Sequence, residues 1–328
     1  MEIRSLFGEL RGKIVGQNLK IVLPEGDDER VLRAAARLKF EGLCEPIVLG
    51  ERQAITDLLA SLGFSSPEFD IINPEEYAGF EDMKKVFLEL RKGKVNEEDA
   101  DAILRDVNYF GVMLVQMGLA DGMVSGASHS TADTVRPALQ IIKTKPGVSR
   151  TSGVFLMIKE DKQFLFGDCA INIDPDAQTL AEIAINSAST AKTFGIDPKI
   201  AMVSYSTLGS GSGPKVEKVV EATKIAKELR PDLVLDGELQ MDAALSESTA
   251  RIKAPNSPVA GQANVIIFPG IEAGNIAYKT AERLGGFDAV GPVLQGLKKP
   301  VNDLSRGCSA EDVYKLAIIT AAQALDVE

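Results

Sequence analysis

The chain has 328 residues, of which 45% are hydrophobic and 25% are charged, as expected for a globular protein of about two domains. It carries 36 basic and 47 acidic residues, and this net charge of −11 argues against a general nucleic-acid-binding or anionic-membrane-binding protein, because both need a basic surface. With a single histidine, His129, and three widely separated cysteines, the sequence excludes HExxH zinc sites and zinc fingers and indicates no disulfide framework.

The first part of the chain alternates short apolar runs with longer amphipathic stretches. The sequence predicts strands at 20–24, 46–49, 69–72 and 123–127. It predicts one helix that begins at 27–30 and further helices at 52–62, 75–93, 97–118 and 131–142. Strands that alternate with helices are typical of a parallel sheet with helices on both faces.

The pattern changes near residue 145. A β-hairpin is predicted from runs at 153–158 and 164–167, with its turn at 160–162. After it, we predict helices at 177–193, 215–229, 272–284 and 309–324, strands at 200–205, 233–235 and 265–268, and a looser stretch up to 263. The change of rhythm predicts a domain boundary near 145, with a ligand cleft between the two domains.

The N-terminal segment lacks the apolar region of an export signal, and no stretch of about 20 apolar residues occurs. We therefore expect neither export nor a membrane span. The cysteines fit the reducing environment of the cytoplasm.

Three local motifs have structural interpretations that compete with functional ones. The Gly-rich segment 209–214 could contact a substrate, or it could be a strand-to-helix turn with Pro214 at the first helical position. Cys169 resembles a reactive thiol, but its apolar neighbours favour a buried, inert one. Residues 174–176, Asp-Pro-Asp, could suggest a metal site, but a helix cap with Pro175 at the first helical position is the simpler interpretation.

Small and polar residues are concentrated where the strand at 123–127 ends. This segment contains Ser125, Gly126, His129 and Thr131, and Arg136 follows in the next helix. Open α/β sheets bind ligands at the carboxyl ends of their strands, so these residues are candidates for a binding site. For His129 the alternative is a loop histidine that is hydrogen-bonded to the backbone.

Two further segments combine cations or hydroxyls with helix starts. Lys279 and Arg283 share one helix face, which is either solvated or turned toward an anion. Ser305 and Arg306 precede a helix N-terminus, a place suited to phosphate. Asp312 completes a Ser-x-x-Asp capping box, a structural role that competes with a role as catalytic base.

The segments 125–137, 268–279 and 305–313 resemble the phosphate acetyltransferase (phosphotransacetylase) family, and the resemblance extends along nearly the whole chain. It implies the reaction acetyl-CoA + phosphate ⇌ acetyl phosphate + CoA in a cytoplasmic homodimer. CoA is then a substrate, and neither a cofactor nor a metal is expected.

The resemblance also implies a fold, a two-domain, three-layer α/β/α arrangement similar to that of isocitrate and isopropylmalate dehydrogenases, with the active-site cleft between the domains. In such folds the last helix returns to the first domain. Domain I is therefore expected to comprise 1–145 and 297–328, and domain II 146–296.

Carried over residue by residue, the resemblance implies that Asp312 removes the thiol proton of CoA, Ser305 stabilises the oxyanion or orients the thiol, and Arg306 holds the phosphate of acetyl phosphate. The implied substrate-binding residues are Arg136, Arg91, Ser125, Gly126, His129, Thr131, Lys279, Arg283 and Asn275, with Lys279 and Arg283 facing the phosphates of CoA.

Three alternatives remain at this point. Phosphate butyryltransferase chemistry differs only in the acyl chain, and each methylene contributes only about 1–3 kcal/mol to discrimination. A non-catalytic acyl-CoA-sensing module would bind CoA without turnover. A nicotinamide dehydrogenase would share the fold class, although the chain has no GxGxxG motif.

Overall fold

The computed structural model describes residues 6–65 and 68–326. They form two compact units. The central unit is 146–296, and the terminal unit combines the residues before 146 with those from 297 onward.

Strands and helices alternate along most of the chain. The strands are β1 (Lys20–Leu23), β2 (Glu45–Leu49), β3 (Asp70–Ile72), β4 (Gly122–Ser125), β5 (Ser152–Lys159), β6 (Lys162–Gly167), β7 (Lys199–Val203), β8 (Val234–Leu239), β9 (Val265–Ile267), β10 (Asp288–Gln295) and β11 (Val301–Asp303). The α-helices are α1 (Leu6–Ile14), α2 (Glu29–Phe40), α3 (Arg52–Ser61), α4 (Phe80–Leu90), α5 (Glu97–Leu104), α6 (Val107–Gln116), α7 (Thr131–Ile141), α8 (Ala177–Thr193), α9 (Pro214–Leu229), α10 (Met241–Leu245), α11 (Glu247–Lys253), α12 (Ile271–Arg283) and α13 (Ala310–Leu325).

The terminal unit contains a parallel sheet with the strand order β11-β4-β1-β2-β3. Its strands are short and almost continuously apolar, as expected for strands that are buried on both faces. Helices α2 and α13 pack together over β1, β2 and β4, whereas α6 and α7 pack together over β1, β4 and β11. The sheet is therefore the middle layer of an α/β/α arrangement.

The central unit contains a mixed sheet with the order β10-β5-β6-β9-β7-β8. The hairpin β5–β6 is antiparallel, with Ile158 opposite Gln163, and confirms the prediction made from its two apolar runs. Strands β6, β9, β7 and β8 pair in parallel. A buried aromatic pair, Phe155 and Tyr278, stacks with ring centroids 3.9 Å apart and joins α12 to the sheet.

The α/β fold class is confirmed, but two predicted helices are interrupted. The stretch 97–118 forms α5 and α6, because the Asp106 carboxylate accepts from the amides of Asn108 and Tyr109 and starts a new helix. In place of the single helix predicted at 75–93, a 3₁₀ turn at Pro74–Glu76 comes first and α4 begins at Phe80.

Other predictions are wrong in detail. Pro175 is not at the first position of α8, because Asp176 is the N-cap and Pro175 precedes it. The looser stretch before 263 contains α10 and α11, and the sequence patterns did not indicate β10 or β11. Among the described residues, no helix is long and apolar enough to span a bilayer.

Candidate functional site

Three neighbouring strands of the terminal unit, β11, β4 and β1, end at the same edge of the sheet. Asp303 pairs in register with Ser125, and Val22 pairs with Met123. The segments that follow these strands contain Glu25, the loop 126–129 and the loop 304–309. Because parallel strands present their carboxyl ends together, residues far apart in sequence meet here.

Glu25 organises this edge, although the sequence analysis did not single it out. Its carboxylate is 1% exposed and accepts hydrogen bonds from four consecutive amides. These are the N–H groups of Gly126 (3.1 Å), Ala127 (2.9 Å), Ser128 (2.9 Å) and His129 (3.0 Å). Burial alone would raise the pKa of Glu25, but the hydrogen bonds from Ser128, His129 and Ala127 lower it overall, so the carboxylate is ionised.

His129 is bound to the same carboxylate. Its Nδ1 lies 2.8 Å from Glu25 Oε1, which assigns the ring proton to Nδ1 when Glu25 is ionised. The sequence analysis allowed a loop histidine held by the backbone, whereas the ring is held by a buried side chain. Nε2 has no partner among the described residues.

Gly126 is required by its conformation and by its surroundings. Its φ is +114°, and a Cβ there would lie 2.6 Å from the carbonyl oxygen of Leu304 and 2.7 Å from Asp303 Oδ1. Only glycine permits this approach between the loop after β4 and the segment after β11.

Ser125 and Thr131 use their hydroxyls inside the protein. Ser125 is fully buried and donates to Asn108 Oδ1 at 2.6 Å, which ties α6 to β4. Thr131 Oγ1 donates to Asp303 Oδ2 at 2.7 Å. Both residues therefore shape the edge, and neither hydroxyl proton is available to a ligand in this arrangement.

Asp303 is a second buried carboxyl group at this edge, 1% exposed. Burial raises its pKa to about 6, against the effect of Thr131, and the nearby Glu25 charge adds to the rise. The Thr134 hydroxyl also favours the ionised form of Asp303 and so lowers its pKa. Neither the Thr134 hydroxyl nor Asp303 Oδ1 makes a hydrogen bond within 3.5 Å.

The segment 305–312 provides exposed polar groups. Ser305 and Arg306 are exposed and lie in a turn closed by the bond from Cys308 N to Ser305 O, at 2.9 Å. Ser305 Oγ accepts from Gly307 N at 3.3 Å, so its own proton remains free to be donated. The Arg306 guanidinium has no hydrogen bond or ion pair with any residue that the structure describes.

Asp312 completes the predicted capping box of α13. Its Oδ2 accepts from Ser309 N at 2.7 Å and from Ser309 Oγ at 2.8 Å. Oδ1 makes no hydrogen bond within the described ranges. One oxygen therefore caps the helix while the other is available.

Arg91 and Arg136 both influence Tyr109. Burial raises the pKa of Tyr109, and the charges of Arg136 and Arg91 lower it, which places both guanidinium groups near this phenol. Arg91 Nε is buried without a hydrogen bond. Like Arg306, neither arginine forms an ion pair with a residue in the described part of the chain.

The other predicted binding residues belong to α12 of the central unit. Asn275 Nδ2 donates to the carbonyl oxygen of Cys169 at 3.1 Å. Lys279 Nζ lies 5.1 Å from the ring centroid of Tyr278, and Arg283 Nε lies 3.6 Å from Glu282 Oε2. Cys169 is buried, and desolvation raises its thiol pKa well above the usual range.

The Gly-rich loop 209–214 has a structural basis of its own. Pro214 stands at the start of α9, as the turn interpretation expects. The buried carboxylate of Glu238 accepts from Gly209 N and from Ser206 Oγ, both at 2.8 Å.

Among the described residues, no group of three His, Cys, Asp or Glu is placed to hold a metal ion.

Comparison with known proteins identifies the family. The family model described as phosphate acetyl/butaryl transferase matches residues 5–321. The chain belongs to this phosphate acetyl/butaryl transferase family.

Individual members of the family are similar over their full length. The phosphate acetyltransferase of Bacillus subtilis (strain 168) is 58% identical, with 98% of this chain and 99% of the relative covered. The crystal structure of a phosphotransacetylase from Streptococcus pyogenes is 70% identical, with a TM-score of 0.96 and coverage of 99% and 100%. The EutD phosphotransacetylase from Staphylococcus aureus is 56% identical, with a TM-score of 0.92 and coverage of 97% and 98%.

Sequence reasoning on this family member missed Glu25, Arg30, Asp303 and Tyr109. Glu25 follows a predicted strand directly, which was the available signal. Arg30 was read only as part of a helix start, yet it donates to the backbone of both loops at this edge.

We expect Gly126→Ala to destabilise the terminal unit by about 3 kcal/mol or more, since it adds backbone strain to a collision with backbone atoms. Urea denaturation would measure the loss. Gly118→Ala is the control, because its φ is +74° but no atom lies within 4 Å of the added Cβ. Equal losses in the two variants would contradict the steric argument.

We expect Asp303→Asn to be more stable than the wild type at high pH. The folded-state pKa of Asp303, about 6, lies above its ordinary value of 3.8, so its stabilising contribution is present at low pH and is lost as the pH rises through 6. The gain should approach about 3 kcal/mol near pH 8, fall to about half of that near pH 5 and become small only below about pH 4.

Denaturation of both proteins across this pH range would test it, with the exposed Asp161→Asn as control. A difference between wild type and Asp303→Asn that does not change with pH would rule out the buried-carboxyl explanation.

Proposed function

We propose that the chain transfers an acetyl group reversibly between CoA and inorganic phosphate, by direct attack of the CoA thiolate on acetyl phosphate in a ternary complex. The single observation that carries this proposal is that the two oxygens of the Asp312 carboxylate differ in their hydrogen bonding. Oδ2 is occupied by the helix cap, whereas Oδ1 makes no hydrogen bond among the described residues, and the exposed residues Ser305 and Arg306 lie in the turn that precedes this helix.

Proton removal is the first requirement of this reaction. A free thiol, with a pKa near 8.5, is only a few per cent ionised at neutral pH. Asp312 Oδ1 accepts the thiol proton as the sulfur attacks the acetyl carbonyl. The bonds from Ser309 to Oδ2 hold the carboxylate in one orientation while this occurs.

Charge develops on the carbonyl oxygen and then on the departing phosphate. Ser305 keeps a free hydroxyl proton and donates it in a hydrogen bond to the oxyanion, together with backbone amides. The Arg306 guanidinium, which has no partner among the described residues, binds the phosphate with its planar pair of donors. The carbon–oxygen bond breaks, and phosphate leaves as a stable anion, so no side chain needs to protonate it.

This scheme gives His129 no proton-transfer role. Its Nδ1 is committed to Glu25, which supports the loop rather than the reaction. The chemistry uses Asp312, Ser305 and Arg306.

Binding of CoA is assigned to cations outside the reacting centre. Arg91 and Arg136 lack carboxylate partners among the described residues, and Lys279 and Arg283 lie on one face of α12. As the family resemblance implies, Lys279 and Arg283 would face the phosphates of CoA, and Arg91 and Arg136 would contribute to substrate binding. We also propose that the terminal and central units are the two domains of a cytoplasmic homodimer, as the family resemblance implies, with no nucleic-acid or membrane partner.

The direct test is thiol consumption by the purified protein with CoA and acetyl phosphate. We expect turnover with acetyl phosphate and a lower rate with butyryl phosphate. Faster transfer from butyryl phosphate would indicate a phosphate butyryltransferase, and CoA binding without turnover would indicate a sensing module. Light scattering on the same sample tests the dimer.

We expect Asp312→Asn to lower kcat by about 10²–10⁴-fold, because the variant keeps an oxygen for the cap but loses the proton acceptor. Ser309→Ala is the matched control, since it removes half of the capping box and leaves the carboxylate. It should cost about 1 kcal/mol of stability and change kcat only a few-fold. If Asp312→Asn lost stability but kept its turnover, Asp312 would be a cap and not a base.

A further inference from the structure

The guanidinium of Arg30 uses every donor that it has. An arginine carries five N–H donors. Nε and Nη2 bind the Asp28 carboxylate at 3.0 and 2.6 Å. Nη2 also donates to the carbonyl oxygen of Ala127 at 2.7 Å, and Nη1 donates to those of Arg306 and Cys308, both at 2.9 Å.

The three carbonyls belong to two different loops. Ala127 lies in the loop after β4, and Arg306 and Cys308 lie in the loop that carries Ser305. The bonded residues Ala127 and Arg306 are 179 residues apart in sequence. One side chain from the start of α2 therefore joins them.

Asp28 fixes the position of this guanidinium. Its Oδ1 also accepts from Arg30 N at 2.8 Å, as the N-cap of α2. The side chain of Arg30 is thus bound both to the N-terminus of its own helix and to the three carbonyls. Glu25, three residues before Asp28, accepts hydrogen bonds from the amides of the loop after β4. The segment 25–30 therefore binds two kinds of backbone group in that loop, its N–H groups through Glu25 and one of its carbonyls through Arg30.

A saturated guanidinium differs from the substrate-facing arginines proposed above. Arg306, Arg91 and Arg136 have no carboxylate partner among the described residues, whereas all five donors of Arg30 are already engaged. An anion could bind Arg30 only by breaking one of these bonds.

We propose that Arg30 is a positioning residue that holds the backbone of the Ser305–Cys308 loop against the loop after β4, and so fixes Ser305 and Arg306 relative to Asp312. This inference rests on the proposed function for its catalytic consequence. Its structural content, the cross-link between the two loops, does not depend on that function.

The first test is Arg30→Lys, which keeps the charge but has three donors and no planar fork. We expect kcat to fall by about 10²-fold, since displacements of about 1 Å in reacting groups have effects of that size. The KM values for CoA and acetyl phosphate should stay within about threefold. Arg33→Lys is the matched control on the same helix, where the Arg33 guanidinium is half exposed and lies 4.0 Å from Glu29, and its kcat should equal that of the wild type.

The second test does not use activity. Amide hydrogen exchange should be about tenfold faster in 126–129 and 304–309 of Arg30→Lys than in Arg33→Lys, with the strands of both sheets unchanged. In Arg30→Ala, millimolar guanidinium should restore part of the lost kcat, and methylammonium should not.

The outcomes separate the possibilities. Unchanged kcat and unchanged loop exchange in Arg30→Lys would overturn the proposal, and so would a raised KM with an unchanged kcat, because that result makes Arg30 a binding residue. The lysine variant could lose stability throughout the protein, and Asp28→Asn then serves as the second variant. It keeps the contacts of Arg30 with the three carbonyls but weakens the bond between residue 28 and the guanidinium, so it should still show faster exchange confined to the two loops. A wild-type protein without turnover would refute the proposed function, while the exchange experiment would still decide on the cross-link.

Discussion

A buried anion surrounded by amides is the interaction on which this edge of the protein depends. Glu25 is almost fully excluded from water, and a carboxylate in that position would be very costly without partners. Four successive N–H groups compensate for this cost, and in return the loop after β4 can adopt only a narrow range of conformations. The placement of Gly126 and His129 follows from this constraint, and through Gly126 so does the approach of the segment after β11.

Much of the architecture could be predicted from periodicity and turn chemistry. The apolar run at β1, the hairpin β5–β6 and the capping box at Ser309 and Asp312 are local patterns, and the structure contains each of them. The break between α5 and α6 was missed because Asp106 continues an amphipathic pattern while its side chain competes for the amides ahead of it.

The candidate site was less predictable because its key partners are distant in sequence. The importance of Glu25 depends on β1 lying next to β4, which is a property of the sheet order and not of the residues around it. The pKa of Asp303 depends on burial, and β11 itself was not predicted. Ser305, Arg306 and Asp312 could be singled out because hydroxyl, cation and cap residues follow one another within eight positions.

The strand order also has a consequence for how the protein is made. Thr131 and its partner Asp303 are 172 residues apart, and the whole central unit is synthesised between them. At usual translation rates, roughly 10–30 s pass between the emergence of the two segments. During that time β4 has no β11 beside it, and its outer edge presents unpaired backbone groups to other chains. Until β11 is synthesised, the sheet of the terminal unit lacks one of its five strands, and the edge at which Gly126 meets the segment after β11 is incomplete.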